Sequence, residues 1–174
     1  LALPFHLQQG LGLSPLTAGL YVTAWPLAVA VMAQVSGRLS DRVPTAWLCA
    51  AGASAMALGL AGAAAASALP GPAALLPFIL LSGLGFGLFQ TPNNRNLFLS
   101  APAARSGAAG GMQGVARLTG QTAGAVAMGM IFAREGMAQG PRLGLAVAAA
   151  CVLASGLVSL ARAPQTAPSA PRAS

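Results

Sequence analysis

Residues 43–94 read VPTAWLCAAGASAMALGLAGAAAASALPGPAALLPFILLSGLGFGLFQTPNN, and no Asp, Glu, Lys or Arg occurs among them. Their reading decides the fold. A bilayer core about 30 Å thick takes roughly 20 mostly apolar residues in a helix. Leu69-Pro70-Gly71-Pro72 interrupts the run with turn-forming residues. The stretch therefore divides into two spans, 46–66 and 73–94, joined by a tight turn.

Working outward, residues 18–35 are charge-free and form another span, while 1–8 reads as the tail of an earlier helix. On the other side lie 107–133, interrupted only by Arg117, and 143–160. The expected organisation is a membrane domain over 1–162, with a helix end and five spans, and a disordered tail over 163–174. That tail is rich in Pro, Ala and Ser and is too poor in large apolar residues to order itself. The chain opens on Leu1 with no basic stretch before its apolar residues. It is expected to be a fragment without a signal peptide of its own.

Composition supports this class. Only 6% of the residues are charged and 56% are hydrophobic, with a mean hydropathy of +0.71. Soluble proteins carry about 25% charged residues, because a surface in water needs them. The solvent here must be lipid. The net charge of +7 is no sign of nucleic acid, since the cations sit in separated connections rather than on one face. All nine are Arg, a bias that fits a bacterium with a GC-rich genome.

Charge also sets orientation, since Lys and Arg accumulate on the cytoplasmic side. Arg38, Arg42, Arg95, Arg105, Arg162 and Arg172 fall on one side, and Arg134 and Arg142 on the other. The first set is expected to be cytoplasmic, and with it the carboxy-terminus.

The spans differ in polarity. Those at 46–66 and 143–160 are almost wholly Ala, Leu, Gly and Val, with nothing to offer a polar substrate, and belong at the lipid-facing periphery. Those at 73–94 and 107–133 hold Gln90, Thr91, Asn93, Asn94, Gln113, Arg117, Thr119, Gln121 and Thr122. Polar groups left unsatisfied in hydrocarbon cost several kcal/mol, so these two spans should face protein or a water-filled cavity. Gln113, Arg117 and Gln121 are spaced by four and share a helical face, with Gly110, Gly114 and Gly124 beside them. Small residues let another backbone approach. A charge within a span is a functional hypothesis by default; a structural tie to a carbonyl or carboxylate is the other reading of Arg117. Gly83, Gly85 and Gly87 followed by Gln90, Thr91 and Pro92 make a second concentration. Carbonyls freed by Pro92, with Asn93 and Asn94, either line a passage or cap a helix end. Pro26, with Trp25 and Thr23 nearby, marks a kink with aromatic lining, while Tyr21 reads as an interfacial anchor.

Gly37-Arg38-Leu39-Ser40-Asp41-Arg42 sets one acid between two cations just before a helix beginning near Pro44. An acid there favours the positive end of that helix and pairs with arginines, so the turn reads either as a conformational latch or as a plain solvated loop obeying the same charge rule. His6 is read as structural, Glu135 with Arg134 as a solvated loop pair, and Cys49 and Cys151 as small apolar fillers. No metal cluster, phosphate loop or nucleophile-base arrangement stands out, and nothing argues for an enzyme or a cofactor.

With these segments in view, the chain resembles the fourteen-helix drug/proton antiporters of the major facilitator superfamily. The matching stretches are Leu3-Pro4-Phe5-His6-Leu7-Gln8, Ser14 to Leu20, Gly37 to Arg42, Gly83 to Arg95, and Ser106 to Gln121, in the family's order. The resemblance implies an all-α, polytopic transmembrane bundle comprising the end of helix nine and helices ten to fourteen, the carboxy-terminal part of the transporter. It implies proton-driven efflux of drugs or other amphipathic small molecules by alternating access across a bacterial inner membrane. It also implies a gating role for Gly37, Arg38, Asp41 and Arg42. The expected partners are lipid, a small-molecule substrate, protons and the missing amino-terminal half, where the family carries its proton-binding acids. An exporter of one metabolite and a non-transporting membrane scaffold remain the alternatives.

Overall fold

The computed structural model describes residues 7–8, 12–67, 71–99, 102 and 105–161, with the side chains of 137 and 138 excepted. His6 and the tail expected over 163–174 lie outside the described residues. Every described element is helical, and no strand occurs among them.

Local chemistry sets each helix boundary. Helix α1 spans Pro15–Leu39: the Ser14 side chain accepts from the Thr17 N–H at 3.3 Å, and Pro15 occupies the first turn, where its missing N–H costs nothing. The helix continues past the apolar window ending at residue 35 because backbone hydrogen bonding, not hydropathy, fixes its length; it closes with the Ser40 N–H on the Ser36 carbonyl. Helix α2 spans Thr45–Ala66, starting directly after Pro44 without a side-chain cap. Asp41 therefore does not serve as its cap. Gly71, with φ of 110°, makes the turn that follows, a conformation side chains resist. A short 3-10 turn, Pro72–Leu75, then leads into α3, Leu76–Leu99.

The last element, α4, spans Ser106–Ala161 and is broken at Gly136, where φ is 68° and ψ −175°. Phe132 packs over Gly140 and Met128 over Gly144. A straight helix rising 1.5 Å per residue holds those pairs about 12 and 24 Å apart. The chain therefore reverses at Gly136, and α4 is a hairpin of two antiparallel arms, 106–135 and 137–161. Where a loop through Arg134, Glu135 and Arg142 was expected between two spans, a single left-handed glycine makes the reversal, and the second arm runs through Pro141.

Sequence neighbours are not spatial neighbours. Helix α3 lies between α1 and α2, and α2 in turn carries the second arm of α4. Glycines explain how the backbones of three helices come so close at their crossings. Gly83 and Gly87 of α3 meet the backbone of α1 at Trp25 and Val29, while Gly85, on the opposite face, meets α2 at Met56. A spacing of two turns alternate residues to opposite sides of a helix, so Gly-x-Gly-x-Gly opens both faces of α3. Gly52 and Gly59 of α2 answer with contacts to Phe89 and Ser82. In lipid, association rests on such close packing rather than on hydrophobic burial.

Pro92 inside α3 frees the Leu88 carbonyl from its intrahelical donor. The hydroxyl of Ser36, a fully buried residue of α1, donates to that carbonyl at 3.3 Å. A neighbouring helix thus satisfies the proline's defect, as a membrane interior requires.

Four segments are long and apolar enough to cross a membrane: Pro15–Leu39, Thr45–Ala66, Pro72–Leu99 and Gln139–Ala161. Leu16, Leu20, Leu27 and Val31 stand more than 60% exposed along α1, a surface that lipid solvates and water does not. The molecule is an all-α, multi-pass membrane protein. The first arm of α4 is not among the four segments, because its Gln, Arg and Thr residues lower its hydropathy.

Candidate transport pathway and gate

Successive helices run antiparallel, so the ends near Leu39, Thr45, Leu99, Ser106 and Ala161 all gather on one side of the bundle. That side carries Arg38, Arg42, Arg95 and Arg105 with Asp41 as the acid among the described residues.

Asp41 finds a different partner from the one the turn's sequence offers. Arg95, at the end of α3, donates from Nη1 to Asp41 Oδ1 at 2.8 Å. Arg38 and Arg42 form no ion pair among the described residues. The acid of the turn after α1 is thus tied to α3, 54 residues away, rather than to its sequence neighbours. The pair is open to solvent, with Arg95 49% and Asp41 65% exposed, so it contributes only about 0.2–1 kcal/mol to stability. It is a weak tie, suited to breaking and re-forming. On sequence grounds Arg95 has no role beyond orientation, because spacing along one loop carries no information about a distant helix end.

The residues expected to form one pathway fall into separate groups. Asn94 accepts a hydrogen bond of 2.5 Å from the Gln113 amide, which joins α3 to the first arm of α4. Gln90, one turn earlier on α3, is half-buried. Arg117, Thr119, Gln121 and Thr122 are exposed. Gly107, Gly111, Gly114, Gly120, Gly124 and Gly129 of the same arm have no foreign atom within 4 Å of where a Cβ would stand. Among the described residues the stripe Gln113, Arg117 and Gln121 therefore does share one helical face, and only its Gln113 end is met. The neighbour expected across that face is not supplied by the described residues.

Asn93 goes elsewhere. It lines a cavity of about 300 Å³ between α2, α3 and the second arm of α4, with Thr45, Cys49, Asn96, Ser155 and Ser159. The span over 143–160, read as offering nothing polar, supplies two of those hydroxyls. Ser155 and Ser159 are spaced by four and share a face, a signal easily lost in a run of Ala, Leu and Val. Closer to mid-bundle, the rings of Trp25 and Phe86 meet at 5.1 Å between centroids, tilted by 40°, which places aromatic surface at the α1–α3 contact beside Pro26.

The whole chain, residues 1–174, matches the family model described as Major Facilitator Superfamily. "Uncharacterized transporter YebQ" of Escherichia coli is 44% identical over 135 residues, covering 78% of this chain and 30% of that protein. "Riboflavin transporter RibZ" of Clostridioides difficile is 34% identical over 108 residues, covering 62% of this chain and 24% of that protein. "Multidrug efflux pump LfrA" of Mycolicibacterium smegmatis is 34% identical over 131 residues, covering 73% of this chain and 25% of that protein. The chain spans less than a third of the length of these relatives. No solved structure matches it. On the match along its full length, carried by a helical membrane fold, the chain belongs to the Major Facilitator Superfamily.

Proposed function

We propose that this chain is the carboxy-terminal part of an inner-membrane drug/proton antiporter, which exports amphipathic small molecules by alternating access. The observation that carries the reading is the first arm of α4. Its stripe meets α3 at Gln113 alone and leaves Arg117 and Gln121 exposed, bordered by glycines that no other backbone meets. An Arg within a span costs about 2.5–3.5 kcal/mol on insertion scales, so such a face is kept for a purpose and belongs against a cavity or the rest of the protein.

In this reading α1, α3 and α2, held together through their glycines, move as one body against the other half of the transporter around a midplane cavity. Gln90, Asn94, Gln113, Arg117 and Gln121 contribute polar contacts along the pathway. The Gly37–Arg42 turn is the gate, and Asp41 releases and regains Arg95 as the bundle rocks. Arg38 and Arg42 are then alternative partners for Asp41 in the other state. Proton coupling falls to another region of the polypeptide, since the acids of this chain are Asp41 and Glu135, both at helix ends, and the chain alone does not transport.

A second reading, export of a single metabolite, has its own support. The riboflavin transporter is as similar to this chain as the multidrug pump, each at 34% identity. Everted membrane vesicles containing the full-length protein separate the two. Uptake of a cationic dye such as ethidium, abolished by a protonophore, is the expected result. Uptake of riboflavin without the dye favours the second reading. Dye uptake that survives collapse of the proton gradient contradicts antiport.

A further inference from the structure

The first arm of α4 is covered near its two ends and left open between them. Ala109, Gly110, Gln113 and Gly114 near its start are half-buried, as are Ala127, Met128, Ile131 and Phe132 near its far end, while every residue from 115 to 126 is exposed. The far pad rests on the second arm, with Met128 over Gly144 and Phe132 over Gly140, just before the reversal at Gly136. The near pad rests on α3: Gln113 donates to Asn94, and the Phe98 ring lies 3.6 Å from where a Cβ of Gly110 would stand. Asn94 and Phe98 are spaced by four and share a face of α3.

Both residues of the near pad belong to the part of α3 that follows Pro92. The proline removes one rung of the helix ladder, and helices bend where a rung is missing. Before it, Gly83, Gly85 and Gly87 lock α3 against α1 and α2. Past it, α3 reaches out through side chains, Arg95 to Asp41 and Asn94 to Gln113. Adjacent residues thus hold the gate and the arm, and the backbone of one cannot shift without the other. We propose that Asn94 is a positioning residue that couples the gate to the stripe Gln113, Arg117 and Gln121. When Asp41 releases Arg95, the end of α3 bends at Pro92. Asn94 then carries the start of the arm with it, and the arm pivots on the pad at Met128 and Phe132. At 1.5 Å per residue, Gln113 stands about 22 Å from Met128, Arg117 about 16 Å and Gln121 about 10 Å. A rigid helix therefore passes about three quarters of a displacement at Gln113 to Arg117, and about half to Gln121. The open middle of the arm leaves room for that swing among the described residues. This coupling rests on the gating role proposed above for Asp41 and Arg95, and it gives Asn94 a task other than contact with the substrate.

The test uses the full-length protein in nanodiscs, its cysteines replaced by alanine, with pairs of spin labels read by double electron–electron resonance. One label sits at Trp47 of α2 and the other at Met112 or Val126 of the arm, all three exposed. Residue 112 lies far from the pivot and residue 126 close to it. Asp41→Asn should therefore shift the distance to residue 112 several-fold more than the distance to residue 126. Asn94→Leu, which removes the acceptor for Gln113, should abolish most of the shift that Asp41→Asn produces. The exchanged pair Asn94→Gln with Gln113→Asn keeps two amides in reach and should restore it. No shift at residue 112, equal shifts at both positions, or a shift that persists undiminished in Asn94→Leu overturns the coupling. The comparison of the two label positions leaves Asn94 untouched, so it decides the matter even where Asn94→Leu fails to fold. Dye efflux by the same proteins separates this inference from the gate. Lowered efflux in Asp41→Asn with a motionless arm refutes the coupling and leaves the gate standing, whereas normal efflux removes the gate and the coupling with it.

Discussion

The trio α1–α3–α2 and the first arm of α4 are both rich in glycine and use it in opposite ways. In the trio, Gly52, Gly59, Gly83, Gly85 and Gly87 each have a neighbouring helix where a Cβ would stand. In the arm, Gly107, Gly111, Gly114, Gly120, Gly124 and Gly129 have nothing there. The trio ties two buried hydroxyls to backbone carbonyls, Ser36 to Leu88 of a neighbouring helix and Ser82 to Ile79 of its own. The arm displays Arg117, Thr119, Gln121 and Thr122. One region is a finished structural unit and the other is a surface prepared for a contact. A small residue in a membrane helix thus marks a contact made or a contact due, and only the fold tells the two apart.

The sharpest way to break this contrast is to fill a glycine on each side. Gly85→Leu drives a side chain into the backbone of Met56 and Gly52. Backbone yields less than a flexible side chain, so the cost should reach at least about 3 kcal/mol, the upper end of ordinary overpacking penalties. Purified full-length protein should show little monodisperse material by size-exclusion chromatography. Gly124→Leu in the arm should leave the thermal midpoint within a few degrees of wild type while transport falls. Equal losses of fold in both variants would erase the distinction.

An intermediate effect should come from the proline repair. Ser36→Ala leaves the Leu88 carbonyl without its donor and should cost about 1 kcal/mol, between the average of about 0.6 and the maximum of about 1.7 kcal/mol for interhelical bonds in membranes. Pro92→Ala returns an intrahelical N–H to that carbonyl, so Ser36→Ala should cost much less in the Pro92→Ala background. Additive losses across this double-mutant cycle, followed by denaturation in mixed micelles, would mean that the two residues act independently.

The smallest effect on stability, with a large one on activity, is expected at the gate. Asp41→Asn removes an exposed pair worth about 0.2–1 kcal/mol, so insertion and thermal midpoint should hardly change while transport drops. Arg95→Gln should reproduce the loss, and more closely than Arg42→Gln does. Normal transport in Asp41→Asn would leave the pair without a gating role.

Helix content and the membrane setting are legible from charge scarcity and run length, since both are properties of local sequence. The turn at Gly71-Pro72 is legible for the same reason. Three features are not. The reversal at Gly136 is hidden because Arg134, Glu135 and Arg142 resemble a loop, although one left-handed glycine suffices. The Asp41–Arg95 pair depends on the ends of α1 and α3 coming together, and no spacing encodes that. The split between Asn93 and Asn94 follows from adjacent residues pointing about 100° apart on a helix. Composition places both in one polar cluster; geometry sends Asn94 to the first arm and Asn93 to the cleft beside Ser155. Of the expected site, the stripe Gln113, Arg117 and Gln121 is readable because a period of four is a local property, whereas what covers it is not.

The central claim is that this stripe is a working surface of a transporter. Efflux of ethidium from cells expressing the full-length protein with Arg117→Leu and Gln121→Leu, at wild-type membrane levels, tests it most directly. The account predicts dye accumulation close to that of cells without the transporter. Undiminished efflux from the double variant would contradict it.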